Sequence, residues 1–222
     1  MKQSYKEILG YMAPSSYLSL ADNKFAAFLV YLLQDLPLTA NKITFFSFFL
    51  VLIAMPILFI NFKILFILFL FFSYTCDNMD GIWARLKKQT SEFGKFLDPF
   101  MDKVKDFIID LSFFIFYYNN LTEHISSSKL ILLFISFYFI CKGLFYITRD
   151  CESLENPIIP EKRTIGLLRY GEAEKFFIIF PARVFSFAFF VFYAIGYCFI
   201  YLIGIFVNLY KIFSKERKYR CL

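Results

Sequence analysis

Charge is scarce in this chain: Asp, Glu, Lys and Arg together supply 19% of 222 residues, while hydrophobic residues supply 59%. The shortage excludes a disordered chain, and a single soluble core of this length cannot hide so much apolar surface. Histidine is nearly missing. The one present, His124, falls in a link expected on the outer side of a membrane, which removes histidine nucleophiles, phosphohistidine and Ser-His-Asp relays from a cytoplasmic site. The five cysteines, at 76, 141, 151, 198 and 221, form no Cys-x-x-Cys pair, so a secreted disulfide scaffold is excluded and they read as buried thiols, with Cys221 in the tail. No uninterrupted apolar stretch follows Lys2, Lys6 and Glu7, so the N-terminus does not read as a signal peptide. There is no internal repeat and no polar stretch large enough for a second domain.

What is present is 34 phenylalanines, a mean hydropathy of +0.59 and a net charge of +6. Long uncharged runs are a helix signal rather than a barrel signal, so the fold class is all-α: a polytopic membrane bundle. In so apolar a chain the basic excess marks cytoplasmic loops and an anionic leaflet, not nucleic acid. Ile8, Leu9, Met12, Tyr17, Leu18 and Leu20 alternate with polar residues, which predicts an N-terminal amphipathic helix lying in the interface.

The layout expected is a single domain over 1–222: an interfacial segment at 1–38, a bundle of six transmembrane helices at 39–213 and a basic tail at 214–222. The run Ile43–Ile60 makes one span and Asn61–Lys63 a tight turn. A second helix from Ile64 reaches Arg85, a third runs from about Phe96 to Tyr118, and a fourth from about Lys129 to Thr148. Basic residues in 86–95, 149–175 and the tail put those segments and both termini in the cytoplasm. Because buried arginine is costly, helix five is expected from about Leu167 to Pro181 with Arg183 at the outer face. The alternative turns the chain at Ala194–Gly196 and leaves Arg183 inside.

Four aspartates crowd one stretch. Asp77 and Asp80 are three apart and Asp98 and Asp102 four apart, so each pair shares one face of its helix. Carboxylates at membrane depth are expensive unless they pair, bind metal or line a wet cavity. Two facing pairs of hard oxygen donors suit Mg²⁺ or Mn²⁺, and two ions within about 4 Å suit phosphoryl chemistry. Gly81 and Gly94 flank the pairs, where a missing side chain lets a phosphate approach the backbone. Asp106 and Asp110 extend the series; Asp110 reads as a polar contact between helices. Lys142 and Arg149, seven apart, with Lys162, Arg163 and Arg169 beyond, read either as a basic pocket for a phosphorylated acceptor or as positive-inside charge.

The run Asp77-x-x-Asp80-Gly81-x-x-Ala84-Arg85, eight residues, Gly94-x-x-x-Asp98-x-x-x-Asp102 resembles the signature of the CDP-alcohol phosphatidyltransferases at every fixed position, eight residues over 26. Ala40-Asn41-Lys42-Ile43-Thr44 is similar to the family's Pro-Asn-x-x-Thr element, with Ala40 in place of proline. The resemblance implies six helices, a cytoplasmic active site and a homodimer. It also implies that Asp77, Asp80 and Asp98 hold two divalent cations across the diphosphate of a CDP-linked donor. Asp102 would complete the metal site and act as general base, and CMP would leave. Gly81, Ala84, Arg85, Ser91 and Gly94 would line the nucleotide pocket, with Asn41 and Thr44 closing one side. The signature serves donors of two kinds, CDP-diacylglycerol and CDP-aminoalcohols; the short chain and the basic segment favour the first. Lys142, Arg149 and Arg169 are the acceptor residues expected. A divalent-cation transporter and a non-catalytic scaffold stand as readings of another class.

Overall fold

A computed structural model describes residues 2–12, 17–125, 127–155 and 179–220. Every regular element among them is a helix: α1 (Tyr5–Leu9), α2 (Tyr17–Leu33), α3 (Ala40–Phe59), α4 (Lys63–Leu86), α5 (Glu92–Phe116), α6 (Tyr118–His124), α7 (Ser128–Glu155), α8 (Phe180–Phe185) and α9 (Phe187–Arg220). Four have the length and apolarity to cross a membrane: Ala40–Phe59, Lys63–Leu86, Ser128–Arg149 and Phe187–Ile212. Their outward side chains are as apolar as their inward ones. Phe192 is 77% exposed and Phe206 72%, tolerable only where the surroundings are hydrocarbon.

The helix ends follow from local chemistry. Ser4 and Glu7 form a reciprocal capping box at the start of α1. α3 and α4 each close with paired backbone bonds that need a left-handed residue just beyond the helix. Asn61 (φ 67°) serves α3, where the Phe62 N–H reaches the Ile57 carbonyl at 3.1 Å. Lys88 (φ 54°) serves α4, where the Gln89 N–H reaches the Ala84 carbonyl at 2.9 Å. The expected tight turn at Asn61–Lys63 is the first of these. Ser91 caps α5, its hydroxyl accepting from the Gly94 N–H at 3.0 Å.

The described residues form two compact units. Of the described residues, the first takes in those up to 116 and 179–185. In it α3 lies along α4, α2 packs on α4, α5 on α3, α1 on α2 and α8 on α4. Its core near the N-terminus joins Ile8, Ala26, Ala27 and Val30 to Ile43, Met79, Ile82 and Trp83. A buried polar cluster pins α2 beside it: Asp22 accepts from Thr75 at 2.9 Å and from Asn78 at 2.6 Å, and Asn23 donates to Asn78 at 3.2 Å. Of the described residues, the second unit takes in those from 117 to 155 and 186–220. There α7 packs on α9, and Tyr117 and His124 stack on the aromatic start of α9, His124 lying 5.6 Å from Phe187.

The expected position of Arg183 is overturned. Arg183 is 1% exposed inside the first unit, and the chain breaks at Ser186 rather than at Pro181 or at Ala194–Gly196, the latter lying within α9. Its burial is offset by a partner 73 residues earlier: Nη1 donates to Asp110 Oδ1 at 2.7 Å, while the guanidinium sits 4.2 Å from the Phe113 ring. Asp110 thus makes the interhelical contact expected of it. The rest of helix five, 167–178, lies outside the described residues.

Candidate active site

The first unit's acids are set by the antiparallel hairpin of α3 and α4. Thr44 and Ser47, one turn apart on α3, meet Asp80 and Asp77, one turn apart on α4. Thr44 Oγ1 donates to Asp80 Oδ2 at 2.5 Å, and Ser47 Oγ to Asp77 Oδ1 at 2.8 Å. These hydroxyls satisfy carboxylates that would otherwise be costly there, Asp80 being buried. α5 presents Asp98 and Asp102 to the same place. One carboxylate oxygen from each of Asp77, Asp98 and Asp102 lies within 4.8 Å of the other two. Asp80 is not in that trio; it shares an adjoining cavity with Asp98.

That cavity, about 180 Å³, brings together Asn41, Thr44, Gly81, Ala84, Arg85, Ser91 and Gly94, all seven of the residues expected to line a substrate pocket. Ala40, Gln89, Thr90 and Lys95 complete its wall. Both glycines are places of close approach. A Cβ on Gly94 would lie 3.2 Å from Ser91 Oγ and 3.4 Å from Asn41 Oδ1, and one on Gly81 3.3 Å from Arg85 Nη2. The Arg85 Nε–H donates to the Tyr11 carbonyl at 2.8 Å, so the N-terminal segment holds the guanidinium while its terminal nitrogens lie over Gly81.

Of the residues expected to bind an acceptor, Lys142 and Arg149 belong to α7 of the second unit, both beside the ring of Tyr146. Arg169 lies outside the described residues.

Sequence reasoning missed Lys105. Its side chain is buried, its ammonium pairs with Asp77 Oδ2, and it lies 2.9 Å from Asp102 Oδ1 and 3.2 Å from Ser47 Oγ. The available signal was its spacing, three residues after Asp102 and seven after Asp98, which puts all three on one face of α5. A cation already stands among these carboxylates, and the donor set is all oxygen from acids and hydroxyls. The residues therefore fit a hard divalent ion such as Mg²⁺ or Mn²⁺.

No curated protein matches the chain in a sequence comparison. Comparison with protein families, in contrast, finds the CDP-alcohol phosphatidyltransferases over residues 37–208, from just before α3 into α9, spanning Asp77, Asp80, Asp98, Asp102 and all the cavity residues described above. The chain belongs to the CDP-alcohol phosphatidyltransferase family, enzymes that transfer a phosphate-linked group from a CDP-alcohol to an alcohol.

Proposed function

We propose that this protein is an integral-membrane transferase of phospholipid biosynthesis that moves a phosphatidyl group from CDP-diacylglycerol to an alcohol, releasing CMP. The observation that carries the reading is the convergence of all seven residues expected to line a substrate pocket in one cavity that shares Asp98 with the carboxylate trio. A nucleotide in that cavity would bring its diphosphate to the acids, and Arg85 offers its terminal nitrogens to a donor phosphate. Asp77, Asp80, Asp98 and Asp102 are the residues to hold two divalent ions, Mg²⁺ or Mn²⁺, which when bound neutralise charge on the diphosphate.

Asp102 suits the general base. Its side chain is 50% exposed, open to an incoming hydroxyl. The acceptor O–H gives its proton to the Asp102 carboxylate, a bond forms from that oxygen to the β-phosphorus, and the bond from phosphorus to the CMP oxygen breaks. Lys142, Arg149 and Arg169 are proposed for a phosphorylated acceptor on charge alone.

The charge distribution supports six spans: the four apolar helices, α5, and a helix from about 167 that ends with α8 at Phe185. Both termini and the site then face the cytoplasm, with α1 and α2 in the interface. A homodimer is part of the proposal. A cation transporter would place acids on several helices near mid-membrane; the cluster here is confined to α4 and α5.

The test is CMP release by the detergent-purified protein with Mg²⁺ or Mn²⁺. It is run with CDP-diacylglycerol and a panel of alcohols, and with CDP-choline and CDP-ethanolamine plus diacylglycerol. Metal-dependent release from CDP-diacylglycerol, abolished in a folded Asp102→Asn variant, is the expected result. Release only from the aminoalcohol donors would replace the donor. Full activity in Asp102→Asn would remove that residue from its role.

A further inference from the structure

Lys105 is a buried cation inside a carboxylate cluster, and nothing in the family signature calls for it. An ammonium has three N–H donors. Here three acceptors surround it: Asp77 Oδ2, Asp102 Oδ1 at 2.9 Å and Ser47 Oγ at 3.2 Å. The Ser47 hydroxyl is committed in turn, donating to Asp77 Oδ1 at 2.8 Å, so its oxygen lone pairs face the lysine. Ser73 supports the arrangement by donating to the Ser47 carbonyl at 2.9 Å. The lysine is therefore held from three helices rather than lying loosely across a surface.

We infer that Lys105 is a built-in counter-cation of the metal site: it neutralises Asp77 and Asp102 when no divalent ion is bound, and an ion loading onto those two carboxylates must displace its ammonium. The inference rests on the metal reading proposed above and deepens it by assigning a competitor that belongs to the chain. The physical argument has two parts. Asp77 and Asp102 contribute oxygens to the trio within 4.8 Å, and both also receive the ammonium, so lysine and ion compete for the same lone pairs. Like charges at such separations repel strongly in a partly desolvated site, so the two cations do not share those oxygens without cost. The chain therefore trades metal affinity for a cluster that is folded and ordered before metal arrives. Lys105 is a positioning residue in this scheme; it acts through Asp77 and Asp102.

The test reads metal binding without turnover. Mn²⁺ is titrated into the detergent-purified, metal-stripped protein with no nucleotide present, following free Mn²⁺ by electron paramagnetic resonance and melting temperature in parallel. Wild type, Lys105→Met and Lys105→Arg are compared, the variants being purified with Mn²⁺ and then stripped. Lys105→Met is expected to bind Mn²⁺ at least tenfold more tightly than wild type. Its melting temperature should fall below wild type without metal and return when Mn²⁺ is added. Lys105→Arg, which keeps the charge, should stay within a few-fold of wild type. Equal or weaker binding by Lys105→Met, beside a wild type that does bind, overturns the counter-cation alone and leaves the metal site standing. Lys105→Met that cannot be recovered folded even with Mn²⁺ also overturns it, since the ion must be able to replace the ammonium. Absence of binding by all three chains overturns the metal reading and this inference with it.

Discussion

Gly94 shows how narrow the cavity is at the scale of one methyl group. Its Cβ would press on Ser91 Oγ at 3.2 Å, and Ser91 cannot swing away without giving up the cap on α5. On the helix itself alanine is preferred to glycine by up to about 1 kcal/mol. The two effects point in opposite directions and can be separated. Gly94→Ala is expected to leave the melting temperature close to that of wild type, the two effects offsetting, while raising the KM for the CDP-linked donor about fivefold to tenfold, roughly 1 kcal/mol of lost binding. A donor KM equal to wild type would mean that the cavity is not the nucleotide site. Lys88 is the opposite case, a side chain where none is wanted. It holds a left-handed φ of 54° at the end of α4 that glycine adopts freely. Lys88→Gly is expected to stabilise the protein by roughly 0.5–1 kcal/mol, read as a higher thermal midpoint.

At the scale of elements, the docking of α2 on α4 depends on a buried carboxyl. Asp22 is 2% exposed, and burial pushes it up to about 6 against hydrogen bonds from Thr75 and Asn78 that pull it down. Its value in the docked state therefore lies above that of a free aspartate, about 3.9. As pH rises from about 4 to about 6 the undocked carboxyl ionises first, so docking weakens across that window by on the order of 2–3 kcal/mol and is flat above it. Hydrogen exchange along residues 20–33, corrected for intrinsic rate, should show protection falling between pH 4 and 6 in wild type and not in Asp22→Asn. The same slope in both chains would remove Asp22 as the cause.

Much of this architecture was legible in the sequence because it is local. The uncharged run from Ile43 needs no partner to be read as a span, and two aspartates at i,i+4 share a face whatever lies opposite. The cavity wall was legible through the family resemblance, which assigned its residues to a nucleotide pocket; the residues alone pointed only to Gly81 and Gly94 as places of close approach. What stayed hidden depends on register between helices. Ser47 reads as one more small residue in an apolar helix until α3 is laid antiparallel on α4. Lys105 looks like one of several lysines near the acids until its neighbours across the bundle are known. Arg183 was misplaced for the same reason, its partner Asp110 being 73 residues away.

For the whole molecule, the Asp110–Arg183 pair closes the first unit. That unit is built from two stretches of chain with residues of the second unit between them, so the stretch around Arg183 must find its place without help from a short loop. Removing one partner leaves the other charge buried. Asp110→Asn is expected to cost about 3–5 kcal/mol, and the double variant Asp110→Leu with Arg183→Met to recover much of that loss. Thermal melting in detergent would show the order wild type, double variant, single variant. A single variant as stable as wild type would mean that the pair contributes nothing to holding the unit closed.

The chain has one tryptophan. Trp83 is wholly buried on α4 between Asp80 and Arg85; its indole N–H donates to the Leu38 carbonyl at 3.1 Å, and the Lys87 ammonium lies 5.6 Å from its ring. The native protein thus carries a single tryptophan, selectively excited beside its 15 tyrosines, one residue from the cavity wall and tied to the stretch of chain that leads into α3. Occupancy of the cavity and release of the N-terminal helices can therefore be followed by the colour and intensity of emitted light, in unlabelled protein and in real time.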